Sequence, residues 1–564
     1  MTDVVFEATA GLDEELAAQE EAEAATPRVV YIPMLALAWV AAGLLFELLR
    51  LGVIWHAPVG GAELVHLSGA WTARVGTPDD RYVPTLFQAI TTLFLHWSDS
   101  EVPARVLAYL STATIPFGVF LLRRQLSDAG ALLALVLLSL DALALNMGSS
   151  ASAMGLDLAV TVWLFVALAR GGAPWWLWAP IGFATASAGP TMLPLAGAAI
   201  GIALVRRTYP GILTLIAGAV GVIAAVILST LRYGLGLDGL RIAPFQLFAD
   251  AYSQAWTTAS TFDLFLIYAV PIVVAGMVAG GFALYRLLSG DDEAEGSQMR
   301  ILLLAWAGIA LLWLVSSFGS HSTVSIVALS TPSAFLVGPG IVRAVNALVR
   351  ADWQIARFVV PAVLFLGLFL ATIGAGWVHN NDVPGALPII IIAILIVGGL
   401  GCWWWLRTTP EAAAALWVLP IVIGAFPFVS GALGVAFSGV GELVPSPTSP
   451  QQTRQLRDIL LADLKQNGGQ LVVHPSLWDD LTWPLRDSGT VVVSTRVPAT
   501  AGAVIWPSDA AKPDGMNPLQ GEWDILDAMP PPTGDISDYF QWFTNRGTVV
   551  ATSEQVSAYV RPHK

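Results

Sequence analysis

Charge is what this 564-residue chain has least of: 12% of its residues are Asp, Glu, Lys or Arg, against roughly 25% in a soluble domain. With 55% hydrophobic residues and a mean hydropathy of +0.68, that shortage excludes a water-soluble globule, because so much apolar surface has to lie in lipid. Cysteine is the next scarcity. The single Cys402, in an apolar run beside Trp403 to Trp405, excludes an intrachain disulfide and a thiolate metal cluster. No His/Cys group has zinc spacing, and no P-loop or dinucleotide fingerprint follows a strand. The only basic pairs are isolated, so there is no footprint for nucleic acid.

Basic residues are missing altogether before Arg28, a stretch with eight acids and no apolar run long enough for a signal peptide. Residues 1–28 are therefore expected to be an acidic, disordered cytoplasmic leader. Long apolar runs, by contrast, are abundant. A bilayer core of roughly 30 Å asks for about 20 apolar residues per helix. In that unit, residues 29–438 read as an all-α polytopic bundle of about thirteen spans. They fall near 31–54, 103–122, 127–146, 152–170, 174–189, 190–206, 210–232, 263–287, 300–318, 323–347, 357–378, 386–407 and 411–437. Residues 83–97 are too short to cross and read as a re-entrant or interfacial helix. Arginine sets the orientation: Arg123, Arg124, Arg170, Arg206, Arg207, Arg286, Arg300, Arg343, Arg350, Arg357 and Arg407 fall on one side. The turns at 147–151, 319–322 and 379–385 carry no Lys or Arg. The positive-inside rule then places the N-terminus in the cytoplasm of a multi-pass cell-membrane protein, with loop 55–102 and everything beyond Ser438 outside.

The tail is a different material. Residues 439–451, containing Pro445-Ser-Pro-Thr-Ser-Pro450, read as a linker, and 452–564 as a small outer α/β domain. A helix is expected over Gln452 to Lys465, strands over Gln470–His474, Thr490–Thr495 and Gly502–Trp506, a late helix over Ile536–Asn545, and closing strands around Val549 and Tyr559.

Loop 55–102 holds the carboxylate of most interest. Glu63 opens the stretch Leu64–Val75, whose Leu64, Leu67 and Trp71 recur at i, i+3 and i+7, the mark of an interfacial amphipathic helix. A carboxylate there can act as a base or hold a metal or an acceptor; it can equally do no more than favour the positive end of the helix. His66 follows one turn after Glu63, where a lone His is usually structural. Asp79 and Asp80 are candidate ligands for a divalent metal, although Pro78-Asp-Asp also reads as an ordinary turn. Asp157 is an acid just inside a span, a functional hypothesis by default, and is expected to line one outer cavity with Glu63. Asp141 reads as a partner of neighbouring Ser or backbone groups, and Glu47 and Arg50 as a pair at i and i+3.

The ordered set of a loop acid after the first span, Tyr82-Val-Pro84, and Trp97-Ser-Asp-Ser-Glu-Val-Pro-Ala-Arg105 leading into the next span resembles glycosyltransferase family 39 of the GT-C superfamily. The pattern is that of the prokaryotic flippase-activity-associated proteins. Trp483-Pro-Leu-Arg486, Tyr539-Phe-Gln-Trp542 with Arg546, and Tyr559-Val-Arg561 resemble the tail of that group. The resemblance implies a GT-C-like fold and a sugar carried on a polyprenyl phosphate, passed to an acceptor at the outer face. It implies Glu63 and Asp157 in catalysis and His321, Tyr82, His66 and Arg105 in substrate binding. Membrane lipid and a flippase or cell-envelope assembly partner are the implied company. There are departures: Ala62 stands where an acid precedes Glu63 in the family, Ser150 and Ser152 where an Arg is expected, and Val324 and Ser325 where Arg-Tyr is expected. These favour the alternative of a catalytically degenerate GT-C scaffold that binds the lipid carrier or supports a flippase. A transporter is weaker, since no Gly/Pro-broken pair of spans repeats.

Overall fold

The computed structural model describes residues 28–57, 59–60, 62–74, 86–98, 100–152, 154–170, 175–185, 190–207, 211–230, 259–289, 294–351, 429, 431–437, 451–486, 488–489, 491–519, 521, 523–528 and 552–562. Several expectations fall outside these residues: the leader, Asp79, Asp80, Tyr82 and Asp99, the spans 357–378 and 386–407 with Cys402, most of the span 411–437, the Pro/Ser linker, and the helix at 536–545. The chain divides into two units, Met1–Leu45 and Phe46–Lys564. The described part of the first, residues 28–45, is helical; every contact given below lies within the second.

Among the described residues the membrane part is built of helices joined by turns. The main helices are α1 (Arg28–His56), α2 (Ala62–Arg74), α3 (Leu86–Leu95), α4 (Val102–Thr112), α5 (Ile115–Leu121), α6 (Asp128–Leu140), α7 (Ala142–Met147), α8 (Met154–Ala169), α9 (Trp178–Thr185), α10 (Leu193–Arg206), α11 (Ile212–Thr230), α12 (Val270–Ser289), α13 (Ala294–Ser316) and α14 (Val324–Ala351). Among the described residues, five segments are long and apolar enough to cross a membrane: Met34–His56, Val102–Leu121, Thr261–Ser289, Gln298–Ser316 and Val324–Arg343. Each coincides with an expected span. The expected spans at 152–170, 190–206 and 210–232 appear as the apolar helices α8, α10 and α11, and 174–189 as the shorter α9. Where a short re-entrant or interfacial helix is expected over 83–97, the chain forms α3, ten residues long.

One span is corrected. Residues 127–146 are not one helix, because the chain turns extended at Asp141 (φ −71°, ψ 105°) between α6 and α7. The Asp141 carboxylate accepts the backbone N–H groups of Leu143 and Ala144 and so caps α7. A short polar side chain that competes for backbone donors favours such a cap over a continuous helix. Ser330 of α14 donates its hydroxyl to the same carboxylate, so the acid is satisfied inside the bundle, as lipid demands.

Close packing explains how α14 sits at the centre. A Cβ on Gly338 would lie 2.2 Å from the Gly130 carbonyl oxygen of α6, and one on Gly276 of α12 would lie 2.6 Å from the Ser333 side chain. Glycine at these two points lets backbones approach where no hydrophobic force drives helices together. Around them Phe165 of α8 packs on Phe335 of α14 and Trp306 of α13, with ring centroids 4.9 Å and 5.4 Å away.

The C-terminal domain starts with α15 (Gln451–Asn467), then β1 (Gln470–Val473), β2 (Val491–Val493), β3 (Ala501–Pro507), β4 (Asn517–Pro518), β5 (Trp523–Ala528) and β6 (Thr552–Val560). The sheet order is β2-β1-β3-β6-β4, with β5 also on β6; β1 is parallel to β2 and β3, and β6 is antiparallel to its partners. Leu456 and Leu460 of α15 pack with Leu471, Val473 and Ile505, while Val472, Val504 and Tyr559 fill the other face. That alternation is the period of two expected of strands covered on both sides.

Asp480, after β1, gives this domain a pH signature. Burial, helped by the nearby acids Glu554 and Asp479, pushes its carboxyl up to about 6. The folded domain therefore holds a proton that the unfolded chain releases between about pH 4 and 6. Stability should fall as pH rises through that window, by about 1 kcal/mol once solvent screening of a partly exposed group is allowed for. Asp480→Asn should remove the slope and leave the domain more stable at pH 7. Limited proteolysis of the full chain at pH 5 and 7.5 reads this out; an unchanged slope in the variant would assign the effect elsewhere.

Candidate functional site: a buried carboxylate-guanidinium junction

Glu63 sits in the first turn of α2, where its charge suits the helix N-terminus. Its carboxylate does more than that. Arg105, 42 residues on, grips it with a two-pronged contact, Nε to Oε1 at 2.6 Å and Nη2 to Oε2 at 2.8 Å. Both side chains are 3% exposed. The backbone N–H of Ala151 donates a third hydrogen bond to Oε1, at 2.8 Å.

Arg105 lies one turn into α4, a helix that Pro103 helps to start. Its remaining terminal nitrogen, Nη1, donates to the carbonyls of Ile54 at 3.1 Å and Ala57 at 2.9 Å. These acceptors are at the C-terminal end of α1, whose last carbonyls have no helical partner of their own. Four pieces of chain thus meet at one ion pair: the end of α1, the start of α2, the start of α4 and the turn between α7 and α8. Burying two charges is costly unless their hydrogen-bonding capacity is filled, and here it nearly is.

An apolar shell surrounds the pair. Val59, Leu64, Leu67, Ala70, Leu95, Ala104 and Ala151 form one buried cluster, which Trp483 and Leu526 of the C-terminal domain complete. The expected amphipathic seam of α2 therefore exists, with Leu64 and Leu67 buried and Trp71 edge-on to Trp483 at 6.5 Å and 84°.

The other expected residues have partners of their own. His66 is buried and its Nε2 meets the Thr91 hydroxyl of α3 at 3.2 Å. Asp157, fully buried in α8, accepts the backbone N–H of Thr191 at 2.9 Å and so ties α8 to the turn before α10. His321 is exposed in the loop between α13 and α14. That loop is held by Thr261, whose hydroxyl donates to the carbonyls of Ser320 and Ser322. Glu63 and Asp157 are thus engaged by different partners. Arg50 is fully buried against its own helix, with its guanidinium 3.4 Å from the Phe46 ring centroid and Nη1 donating to the Phe46 carbonyl. Its Nε and Nη2 and the Glu47 Oε2 have no hydrogen-bond partner; the expected Glu47–Arg50 pairing is one of opposite charges close together. Among the described residues no group of three or more His, Cys, Asp and Glu could hold a metal ion.

Three members of the junction carried no sequence signal: the Ala151 N–H and the carbonyls of Ile54 and Ala57 are backbone groups. Arg105 was visible only as part of a motif, not as the partner of Glu63. Chemically, the junction holds a carboxylate with three of about four lone-pair positions filled. To accept a proton from an incoming hydroxyl, Glu63 would use the remaining position or exchange one prong of Arg105.

No family model matches the sequence, and no curated protein does. The solved structures that match include two of one protein. The crystal structure of ArnT from Cupriavidus metallidurans in the apo state has 16% identity and a TM-score of 0.49; the same protein bound to undecaprenyl phosphate has 14% and 0.48. Each comparison covers 94% of this chain and 99% of the other. At this identity and superposition the likeness stops short of assigning a family.

Proposed function

We propose that this chain is a membrane glycosyltransferase of the GT-C type, in the manner of family 39, which moves a sugar from a polyprenyl phosphate to an acceptor at the outer face of the membrane. One observation carries the reading: two members of the ordered set that resembles the family, Glu63 and the Arg105 that closes Asp99-Ser-Glu-Val-Pro-Ala-Arg105, meet in a buried two-pronged ion pair. A resemblance made only of scattered residues has no reason to converge on one contact. In this reading Glu63 is the base toward the acceptor, and Arg105 positions it. Asp157 and His321 are assigned to the substrate path, with Tyr82 and His66 beside the first loop. Asp79 and Asp80 remain the proposed ligands if a divalent metal takes part. The test is sugar transfer by membranes containing the wild-type chain, supplied with a panel of polyprenyl-phosphate sugars.

A specific observation favours a second reading, that of a scaffold which binds the lipid carrier without transfer. Glu63 is buried and three donors already occupy it, which is how a structural acid is held. Ala62, Val324 and Ser325 point the same way.

The orientation is part of the proposal. With the arginine-rich turns inside, a reporter fused after Lys564 should be active only outside the cytoplasm, and one fused at Thr2 only inside. Activity of both on one side would remove the outer placement of the C-terminal domain.

A further inference from the structure

Two side chains of the C-terminal domain do not belong to its own core. Leu456, Leu460, Leu471, Val473, Ile505 and their neighbours form that core, with Trp483 and Leu526 outside it. Trp483 and Leu526 instead fill the cluster around the Glu63–Arg105 pair, where they are 3% and 8% exposed. Their neighbours there are immediate to the pair: Leu64 follows Glu63, Ala104 precedes Arg105, and Ala151 supplies the N–H that Glu63 accepts. A polar contact borders this seat, Arg454 Nη2 of α15 to Glu101 Oε1 at 3.3 Å, with Arg454 60% exposed. Glu101 stands at the start of α4, one turn before Arg105.

We infer that the C-terminal domain is a removable cover over the Glu63–Arg105 junction, latched by Trp483 and Leu526 and bordered by the Arg454–Glu101 pair. The inference rests on the reading of Glu63 as a site residue, because a site that meets substrate has to be reachable, and here it is closed. Among the described residues the fastening includes two apolar side chains and the Arg454–Glu101 pair at its border, and the C-terminal domain keeps its own core when it lifts. Opening in such a case is a sub-global event, governed by the few contacts that cross the boundary. The Trp71–Trp483 contact places the latch directly on the helix that carries Glu63.

The test uses the full chain in detergent with Cys402, its only cysteine, replaced by Ser, and a reporter cysteine placed by Ser68→Cys. Ser68 is fully buried on α2, and its hydroxyl has no hydrogen-bond partner, so the exchange is mild. The rate of labelling by a water-soluble maleimide is measured alongside Gln466→Cys, an exposed control on α15. The cover predicts slow labelling at position 68. Trp483→Ala should speed it by about 30-fold, since a large buried aromatic is lost from the latch. Arg454→Glu should speed it by about threefold, since an exposed pair is worth little even when reversed. The second variant lies outside the domain core, so it reports on the latch even where the first perturbs folding. Equal rates in all backgrounds, or labelling at 68 as fast as at 466, overturn the cover. Because no sugar donor is present, such a failure is separate from a failure of the transferase reading.

Discussion

Arg105→Met should destabilise the protein by about 3–5 kcal/mol, the cost of leaving a buried charge without its partner. Glu63 would keep only the Ala151 N–H, and the carbonyls of Ile54 and Ala57 would lose their donor. Four chain segments meet at the pair this side chain completes, so their mutual placement should loosen together. The readout is the temperature at which the detergent-solubilised chain stops eluting as a single species. Glu63→Gln combined with Arg105→Met should recover part of the loss, because neither charge is then stranded. A double-mutant cycle gives the coupling directly. An Arg105→Met protein as stable as wild type would mean that the pair is not a fastening of the fold.

The parts of this molecule that were legible in the sequence are those set by repetition. Apolar runs of bilayer length located the five segments among the described residues that are long and apolar enough to cross a membrane, since a helix in lipid must be apolar along its whole length. The Leu64, Leu67, Trp71 spacing gave α2 its buried seam, and Leu456 and Leu460 gave α15 its own. What was not legible depends on single side chains or on backbone. One acid in an apolar run does not announce a break, yet Asp141 found Leu143, Ala144 and Ser330 and ended α6. Strand β5 was missed because Asp524 and Asp527 interrupt its apolar residues and a register shift between Asp524 and Leu526 spoils the alternation. Glu63 was legible as the acid of interest. Its partner was not, because an ion pair across 42 residues leaves no local period. The backbone groups that complete the junction are present at every residue and so mark none.

The pairing changes what a substitution at Glu63 is expected to do. Glutamine keeps the shape of the side chain and one acceptor oxygen, but it cannot take a proton from an acceptor hydroxyl, and it meets Arg105 with one acceptor where there were two. Some loss of stability is therefore expected beside the loss of base, and activity has to be expressed per folded molecule. Loss of a general base lowers the rate by about 10² or more, well beyond what a modest change in the folded fraction produces.

The measurement that bears most directly on the junction as a catalytic centre is sugar transfer from a polyprenyl-phosphate donor by wild type and Glu63→Gln, at matched amounts of folded protein in reconstituted membranes. Expected is transfer by the wild type and a drop of about 10²-fold or more in the variant. A wild type that transfers from no donor in a broad panel, or a Glu63→Gln variant as active as wild type, would contradict it and leave Glu63 and Arg105 as a structural fastening.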